Sequence, residues 1–192
     1  MKDLVTIGAS WGGLDVLREV LSELPADLPA AIVVAQHRSA ESHPTAYRDL
    51  LGAVTRLRVR EANDKDALEE GTVFVAPPDY HLLVERHSLA LSTDEPVLFA
   101  RPSIDVLLAT AAESHRERCV GVVLTGANND GAVGLRRVAE LGGTAIVQDP
   151  DTAVRPEMPL AALAAVPEAR VATISELAPM LVDLCRAEGA LT

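Results

Sequence analysis

Three short runs of apolar or β-branched residues constrain the fold of this chain more than any other feature of its sequence. They cover residues 5–7, 30–35 and 120–124. Continuous apolar runs of this kind, without alternating polar residues, are typical of strands buried on both faces of a parallel sheet. Each run leads into a polar or glycine-rich turn and then into a helical pattern. The alternation predicts an α/β fold: a doubly wound, mostly parallel sheet flanked by helices.

The middle of the chain departs from this alternation. Residues 72–76, 81–85 and 89–91 resemble three strands that follow one another with only short turns between them. Such spacing predicts a small antiparallel hairpin excursion around residues 72–92. The sequence shows no internal repeat and no composition typical of an interdomain linker, so we expect residues 1–192 to form a single domain.

Composition excludes several classes of protein. A net charge of −11 leaves no basic surplus to displace counterions, so we expect no nucleic-acid partner. No apolar run approaches the roughly 18 residues of a membrane span, and the chain starts directly with a strand pattern. We therefore expect a cytoplasmic protein without membrane insertion. Cys119 and Cys185 lie far apart and form no metal-ligand pattern, so we expect neither a metal nor another cofactor.

The first apolar run ends in a turn, residues 8–13, that spells G-x-S-x-G around Ser10. This is the nucleophile-elbow pattern, in which a serine hydroxyl stands clear of the sheet at the start of a helix. A glycine-rich turn between a strand and a helix can also bind phosphate, or can be a plain structural turn. The turn alone leaves the three interpretations open.

Polar residues at the ends of the buried strands favour the first interpretation. Ser10, His37 and Asp130 each lie just beyond an apolar run, where parallel strands place their carboxyl ends at one edge of a sheet. Together they predict acyl-transfer chemistry, with Ser10 as nucleophile, His37 as general base and acid, and Asp130 as the group that orients the imidazole. A dinucleotide site fits less well, because Ser10 stands where its fingerprint requires glycine.

Each of these residues also has a purely structural interpretation. Ser10 could cap a helix, His37 could bond a backbone carbonyl, and Asp130 could cap the helix predicted to begin at Gly131. Backbone N–H groups near Trp11 and Ala127 are candidate oxyanion donors, and the Trp11 side chain is a candidate lining of the site. The remaining histidines are expected to be solvated; they are His43, His81, His87 and His115.

Taken together, short motifs along nearly the whole chain resemble the catalytic domain of the chemotaxis receptor methylesterases, the CheB family. The matching stretches occur in the family's order. They are residues 7–10 with Gly12 and Gly13, 34–37, 75–81, 101–107, 121–126 with 130–132 and Gly134, Gln148-Asp149, and Met158-Pro159.

This resemblance implies a doubly wound α/β domain whose catalytic triad falls on Ser10, His37 and Asp130. It implies hydrolysis of glutamate γ-methyl esters on the cytoplasmic helices of methylated chemoreceptors, which gives glutamate and methanol. Deamidation of receptor glutamines is the second activity that it implies. The matching Met158 is a candidate residue of the substrate-lining region.

The sequence departs from the family pattern near the expected cleft. Trp11 stands where the family usually has threonine, Ala127-Asn128 where it has methionine-glycine, and Pro156-Glu157 where it has an aromatic-glycine pair. Typical members also carry an N-terminal receiver domain, whereas this sequence begins at the catalytic strand, so we expect a separate regulatory protein or no regulation. These departures leave an alternative open: a non-catalytic module that binds receptor helices or a signalling partner.

Overall fold

A computed structural model describes residues 2–39, 41 and 43–187. Strands and helices alternate along most of this length. The strands are β1 (Leu4–Ala9), β2 (Ala31–Gln36), β3 (Arg58–Glu61), β4 (Thr72–Val75), β5 (His81–Val84), β6 (Leu89–Ser92), β7 (Cys119–Val123), β8 (Thr144–Gln148) and β9 (Arg170–Ala172). The α-helices are α1 (Gly13–Glu23), α2 (Pro44–Gly52), α3 (Ile104–His115), α4 (Ala132–Glu140), α5 (Glu157–Ala165) and α6 (Ile174–Arg186).

Seven of the strands form one parallel sheet in the order β3-β4-β2-β1-β7-β8-β9. In the centre, β1 pairs with β2 from Leu4 opposite Ala31 to Ala9 opposite Gln36, and it pairs with β7 on its other side. Every residue of β1, β2 and β7 is buried. The predicted parallel sheet of doubly buried strands is therefore confirmed.

The antiparallel segment is shorter than the predicted excursion around residues 72–92. Its first predicted strand, β4, lies in the main sheet between β2 and β3 and is parallel to both. Only β5 and β6 pair antiparallel, with His81 opposite Ser92 and Val84 opposite Leu89. The burial pattern gives the physical reason. All four residues of β4 are buried, as in a central parallel strand, whereas three of the four residues of β6 are partly exposed.

Helices cover both faces of the sheet. On one face α1, α2 and α6 pack over a core that includes Leu17, Leu21 and Leu181. On the other face α3, α4 and α5, with the β5–β6 hairpin, enclose a second core around Phe74 and Leu108. The helices in the described ranges are all too short or too polar to cross a lipid bilayer.

The strand order reverses at β1. After β1 the chain forms β2, then the edge strand β3, and then β4 between them, all on one side of β1; it later returns to the other side of β1 for β7, β8 and β9. In an open parallel sheet, the loops at such a switch point diverge to opposite faces and leave a crevice at the carboxyl ends of the strands. The residues that follow β1, β2 and β7 meet at this crevice.

Gly8 allows α3 to approach β1 closely at this point. A Cβ atom at Gly8 would lie 2.1 Å from Cγ2 of Ile104, the first residue of α3. Two carbon atoms that are not bonded to each other cannot lie so close, so α3 could not keep its position if residue 8 had a side chain. The spacing between sheet and helix beside the crevice therefore depends on the missing side chain of Gly8.

We predict that Gly8→Ala lowers the free energy of unfolding by about 1–3 kcal/mol, since the added methyl overpacks a core without space for it. Gly52→Ala is the matched control, because its Cβ would lie 3.8 Å from Val59, an ordinary contact. It should raise the free energy of unfolding by about 0.5–1 kcal/mol through the helix propensity of alanine. Urea denaturation measures both values, and equal effects would contradict the packing argument.

Candidate active site

Ser10 and His37 lie side by side because the strands that precede them are paired. The N–H of Ser10 donates to the Thr125 carbonyl (3.0 Å), and the N–H of His37 donates to the Ala9 carbonyl (3.1 Å). The side-chain amide of Gln36 donates to the Ser10 carbonyl at 2.7 Å. These bonds continue the sheet by one residue past the strand ends, and they fix both backbones on the same edge.

The structure brings the three predicted residues into one hydrogen-bonded chain. The His37 Nδ1 atom lies 3.1 Å from Ser10 Oγ. On the other side of the ring, His37 Nε2 lies 2.7 Å from Asp130 Oδ2. With an ionised carboxylate, Nε2–H donates to Asp130 and leaves Nδ1 free to accept the proton of the Ser10 hydroxyl. This is the arrangement that a serine nucleophile, a general base and an orienting carboxylate require.

Asp130 is fully buried and caps the start of α3 rather than the start of α4. Its carboxylate accepts hydrogen bonds from the N–H groups of Ile104 (2.7 Å) and Asp105 (2.9 Å) and from the Ser103 hydroxyl (3.0 Å). The sequence-based alternative, a cap of the helix that follows Asp130, is wrong. That helix has Gly131 as its N-cap and receives no side-chain cap from it.

The hydrogen bonds determine the charge of Asp130. Burial by itself would raise the pKa of this carboxyl, but bonds from His37, Ile104 and Asp105 outweigh it and lower the pKa below its usual value. The positive end of the α3 dipole favours the carboxylate further. Asp130 is therefore negatively charged at neutral pH and can stabilise a protonated His37.

Asp105, in the first turn of α3, caps the start of α4. Its Oδ1 atom accepts from the N–H groups of Gly131 (2.9 Å) and Gly134 (2.7 Å). Burial raises the pKa of Asp105, and the neighbouring negative charge of Asp130 adds to that rise, against the bonds from the two glycines. The start of α3 is thus capped by Asp130, which lies just before α4, and the start of α4 is capped by Asp105, which lies in α3. The two caps together fix the position of the loop that carries Asp130.

His81 supports this arrangement, although the sequence predicts a solvated residue. It is buried, and its Nδ1 atom accepts from the N–H of Ser103 (3.1 Å). Its Nε2–H therefore donates to the Glu95 carbonyl (3.1 Å). Because the Ser103 hydroxyl donates to Asp130, His81 helps to position the Asp130 carboxylate indirectly, through Ser103. A sequence signal for this burial exists, because His81 opens the otherwise apolar strand β5.

The other three histidines lie outside the site. His43 and His87 are exposed, as expected. His115, also expected to be solvated, is buried at the end of α3, and burial lowers the pKa of its ring. It sits at the opposite end of the sheet from Ser10, since α3 runs away from the crevice.

Thr125 joins two turns at the edge of the site. Its hydroxyl donates to the Trp11 carbonyl (2.9 Å) and accepts from the N–H of Arg155 (2.9 Å). Met158 N–H donates to the Gly126 carbonyl (2.9 Å). A Cβ at Gly126 would lie 1.9 Å from Met158 Sδ, and the Met158 side chain is 1% exposed. Met158 therefore packs beneath the turn and does not face the open cleft.

Trp11 and Ala127 flank Ser10 with free backbone donors. Within the described part of the chain, neither residue's N–H donates a hydrogen bond. Both belong to turns that meet through the Ser10 to Thr125 bond. Their N–H groups are the candidates to stabilise an oxyanion next to Ser10. The Trp11 side chain is 68% exposed, so it borders the site rather than filling it.

Asn128 and Glu157, which also depart from the family pattern, each form a polar contact with a neighbouring residue. The Asn128 side-chain oxygen accepts from the Asp130 N–H at 3.1 Å and helps to shape the turn before the carboxylate. Glu157 pairs with Arg155 at 2.8 Å and lies at the start of α5. Neither residue blocks the contact between Ser10 and His37.

A cleft of about 500 Å³ opens beside His37. In the described ranges, no group of histidine, cysteine and acidic side chains could hold a metal ion. Residues of four segments line the cleft: His37, Arg38, Ser39, Asp79, Pro96, Leu98, Phe99, Ala100, Arg101 and Asn128.

Comparison with known proteins places this chain in a family. A protein-glutamate methylesterase/protein-glutamine glutaminase of Moorella thermoacetica is 41% identical over 97% of this chain and 45% of its own length. A Leptospira interrogans protein, provisionally given the same two activities, is 40% identical over 95% of this chain and 94% of its own. The chain thus spans less than half of the first relative and nearly all of the second.

A solved structure and a family model agree with these relatives. The crystal structure of the Thermotoga maritima CheB methylesterase catalytic domain matches with a TM-score of 0.91 at 30% identity. The match covers 96% of this chain and 99% of that one. The model of the family described as CheB methylesterase matches residues 5–181, a range that holds Ser10, His37 and Asp130. The chain belongs to the CheB methylesterase family.

Proposed function

We propose that residues 1–192 form a single catalytic domain that hydrolyses glutamate γ-methyl esters on the cytoplasmic helices of chemoreceptors. The observation that carries the proposal is the hydrogen-bonded chain from Ser10 through His37 to Asp130 at the switch point of the sheet. The family's relatives are named for this hydrolysis and for glutamine deamidation. A cytoplasmic location follows from the proposed substrate.

Ester cleavage begins with attack of Ser10 Oγ on the ester carbonyl carbon. His37 Nδ1 takes the hydroxyl proton, and the carbonyl oxygen becomes an oxyanion that the N–H groups of Trp11 and Ala127 stabilise. As the intermediate collapses, His37 returns the proton to the methoxy oxygen and methanol leaves. The glutamyl group then remains bound to Ser10 as an acyl-enzyme.

Water completes the reaction by the same route. His37 accepts a proton from the attacking water, a second oxyanion forms, and the proton returns to Ser10 as the glutamate carboxylate departs. Asp130 holds Nε2–H throughout and stabilises the positive charge that the ring carries in each step. Deamidation of glutamine uses the same steps, with ammonia in place of methanol.

We predict that Ser10→Ala lowers kcat for methanol release from methylated receptor by about 10⁵-fold or more, since no nucleophile remains. Ser22→Ala is the control and should keep full activity, because Ser22 is an exposed residue of α1 whose hydroxyl donates to the Glu19 carbonyl of the same helix. A coupled assay for methanol measures turnover, and the melting temperature shows that both variants fold. Wild-type protein that binds the receptor without releasing methanol would support the non-catalytic module instead.

Asp130→Asn should also impair catalysis, because an amide at this position favours the wrong tautomer of His37. We expect a loss of about 10⁴-fold in kcat, smaller than that of Ser10→Ala, since an orienting residue costs less than the nucleophile. The measurement is again the methanol time course. A loss as large as that of Ser10→Ala would assign Asp130 a more direct part in the reaction.

The two cross-capping aspartates should show opposite pH dependence of stability. The pKa of Asp130 is lowered by folding, so its contribution is present above the unfolded value of about 3.9 and is lost as the pH falls. Asp130→Asn should therefore lose less free energy of unfolding than wild type between pH 6 and pH 3. The pKa of Asp105 is raised by folding, so its contribution to stability grows as the pH falls. Asp105→Asn should therefore lose more free energy of unfolding than wild type over the same pH range. Equal slopes in urea titrations of the three proteins would refute this.

A further inference from the structure

The turn at Leu98 and Phe99 is strained. Val97 and Ala100 exchange both backbone hydrogen bonds, at 3.1 and 2.9 Å, and enclose just two residues. The φ angles of Leu98 and Phe99 are 49° and 63°. Two positive φ angles in a two-residue turn are the signature of type I′, which strongly favours asparagine and glycine. Large side chains at both positions are unusual.

Packing of the Leu98 and Phe99 side chains within the chain does not offset this backbone strain. Phe99 is fully exposed and Leu98 is nearly half exposed. Neither residue belongs to either hydrophobic core. Backbone strain and exposed apolar surface at the same position cost stability without any gain for the fold. Strain of this kind accumulates at functional sites.

The turn is rigidly connected to the proposed active site. Leu98 and Phe99 line the same cleft as His37. Arg101 anchors the segment, since its guanidinium donates to Asp79 (2.6 Å) and to the carbonyls of Thr93 and Asp94. Four residues after Phe99 the chain reaches Ser103, which donates to Asp130. The segment that carries Phe99 is therefore anchored by Arg101 and leads directly to a residue that contacts Asp130.

Trp11 provides a second exposed aromatic side chain next to Ser10. It precedes α1 on one face of the sheet, whereas the Leu98–Phe99 turn precedes α3 on the other face. Val154, also exposed, packs against Gly12 and extends the apolar surface around Trp11. Exposed aromatic side chains thus lie on both faces of the sheet near the edge that carries Ser10 and His37.

We propose that the Leu98–Phe99 turn and Trp11 contact apolar residues of the helix that carries the esterified glutamate. Phe99 is then a substrate-positioning residue. This inference rests on the proposed function. On a helix, residues three and four positions from the ester lie about 5–6 Å away on the same side, where an aromatic contact on either side of Ser10 can reach them. The esterified side chain is neutral, which suits a protein with a net charge of −11.

The sharpest test replaces the turn by residues that suit its backbone. The double variant Leu98→Asn/Phe99→Gly should raise the melting temperature by about 2–6 °C, because both residues favour a type I′ turn. It should lower kcat/KM for methylated receptor about tenfold relative to kcat/KM for p-nitrophenyl acetate, mainly through KM. Val171→Ala, which trims an exposed valine on the edge strand β9, is the control and should leave this ratio unchanged.

Binding provides a readout that does not depend on turnover. In a Ser10→Ala background, the Kd for a methylated receptor cytoplasmic fragment should rise about tenfold when the turn is replaced. An unchanged Kd, or an unchanged ratio of the two kcat/KM values, would overturn the proposal. Concentration-dependent self-association of the wild type that disappears in the double variant would also overturn it, because a second copy would then cover Phe99. Failure of the wild type to release methanol would refute the proposed function and leave the binding test decisive.

Discussion

The buried carboxylate of Asp130 is the group on which the candidate site depends. It satisfies two N–H groups at the start of α3, a serine hydroxyl and the imidazole of His37 at once. A buried charge is tolerated only when such partners surround it. Asp105 makes the reciprocal cap on α4, so that the two helices cannot shift without uncovering a charge. The orientation of the imidazole is therefore built into the packing of α3 against α4.

The sheet supplies the second half of this arrangement. Its strand order reverses at β1, and the backbone bonds after β1 and β2 bring Ser10 and His37 to one edge. Gly8 lets α3 lie close enough to β1 for its first N–H groups to reach Asp130. Gly126 similarly leaves room for Met158 beneath Ser10. The candidate site is thus a consequence of close approach between elements that come from distant parts of the chain.

The surface around the site differs in character from its interior. The contacts among Ser10, His37 and Asp130 are short and polar, whereas the rim carries exposed aromatic residues, Trp11 and Phe99. Trp11 has a backbone fixed by the Thr125 hydroxyl, and Phe99 sits in a strained turn. Rigid backbone with exposed apolar side chains reduces the entropy lost when a partner binds. Such a rim fits a substrate that is itself a folded protein.

Much of the fold and the three proposed catalytic residues could be predicted from local pattern. Apolar runs predicted the buried parallel strands, and polar residues just beyond the strand ends pointed to Ser10 and His37. Pattern could not assign β4 to the main sheet, because its sequence resembles a hairpin strand as much as a central one. It also placed His81 in solvent, since the partners that bury it, Ser103 and Glu95, lie more than a dozen residues away.

The fold class, the family and the residue types at the strand ends follow from hydrophobic periodicity and short motifs, which are visible in the amino-acid sequence. Only the packing of distant segments shows which helix Asp130 caps, that Asp105 caps the other helix, and that Met158 is buried under the turn while Trp11 is exposed. The tertiary structure also revealed the strain at Leu98 and Phe99. These features depend on distances between segments far apart in the chain, and on backbone angles that no local pattern of side chains encodes.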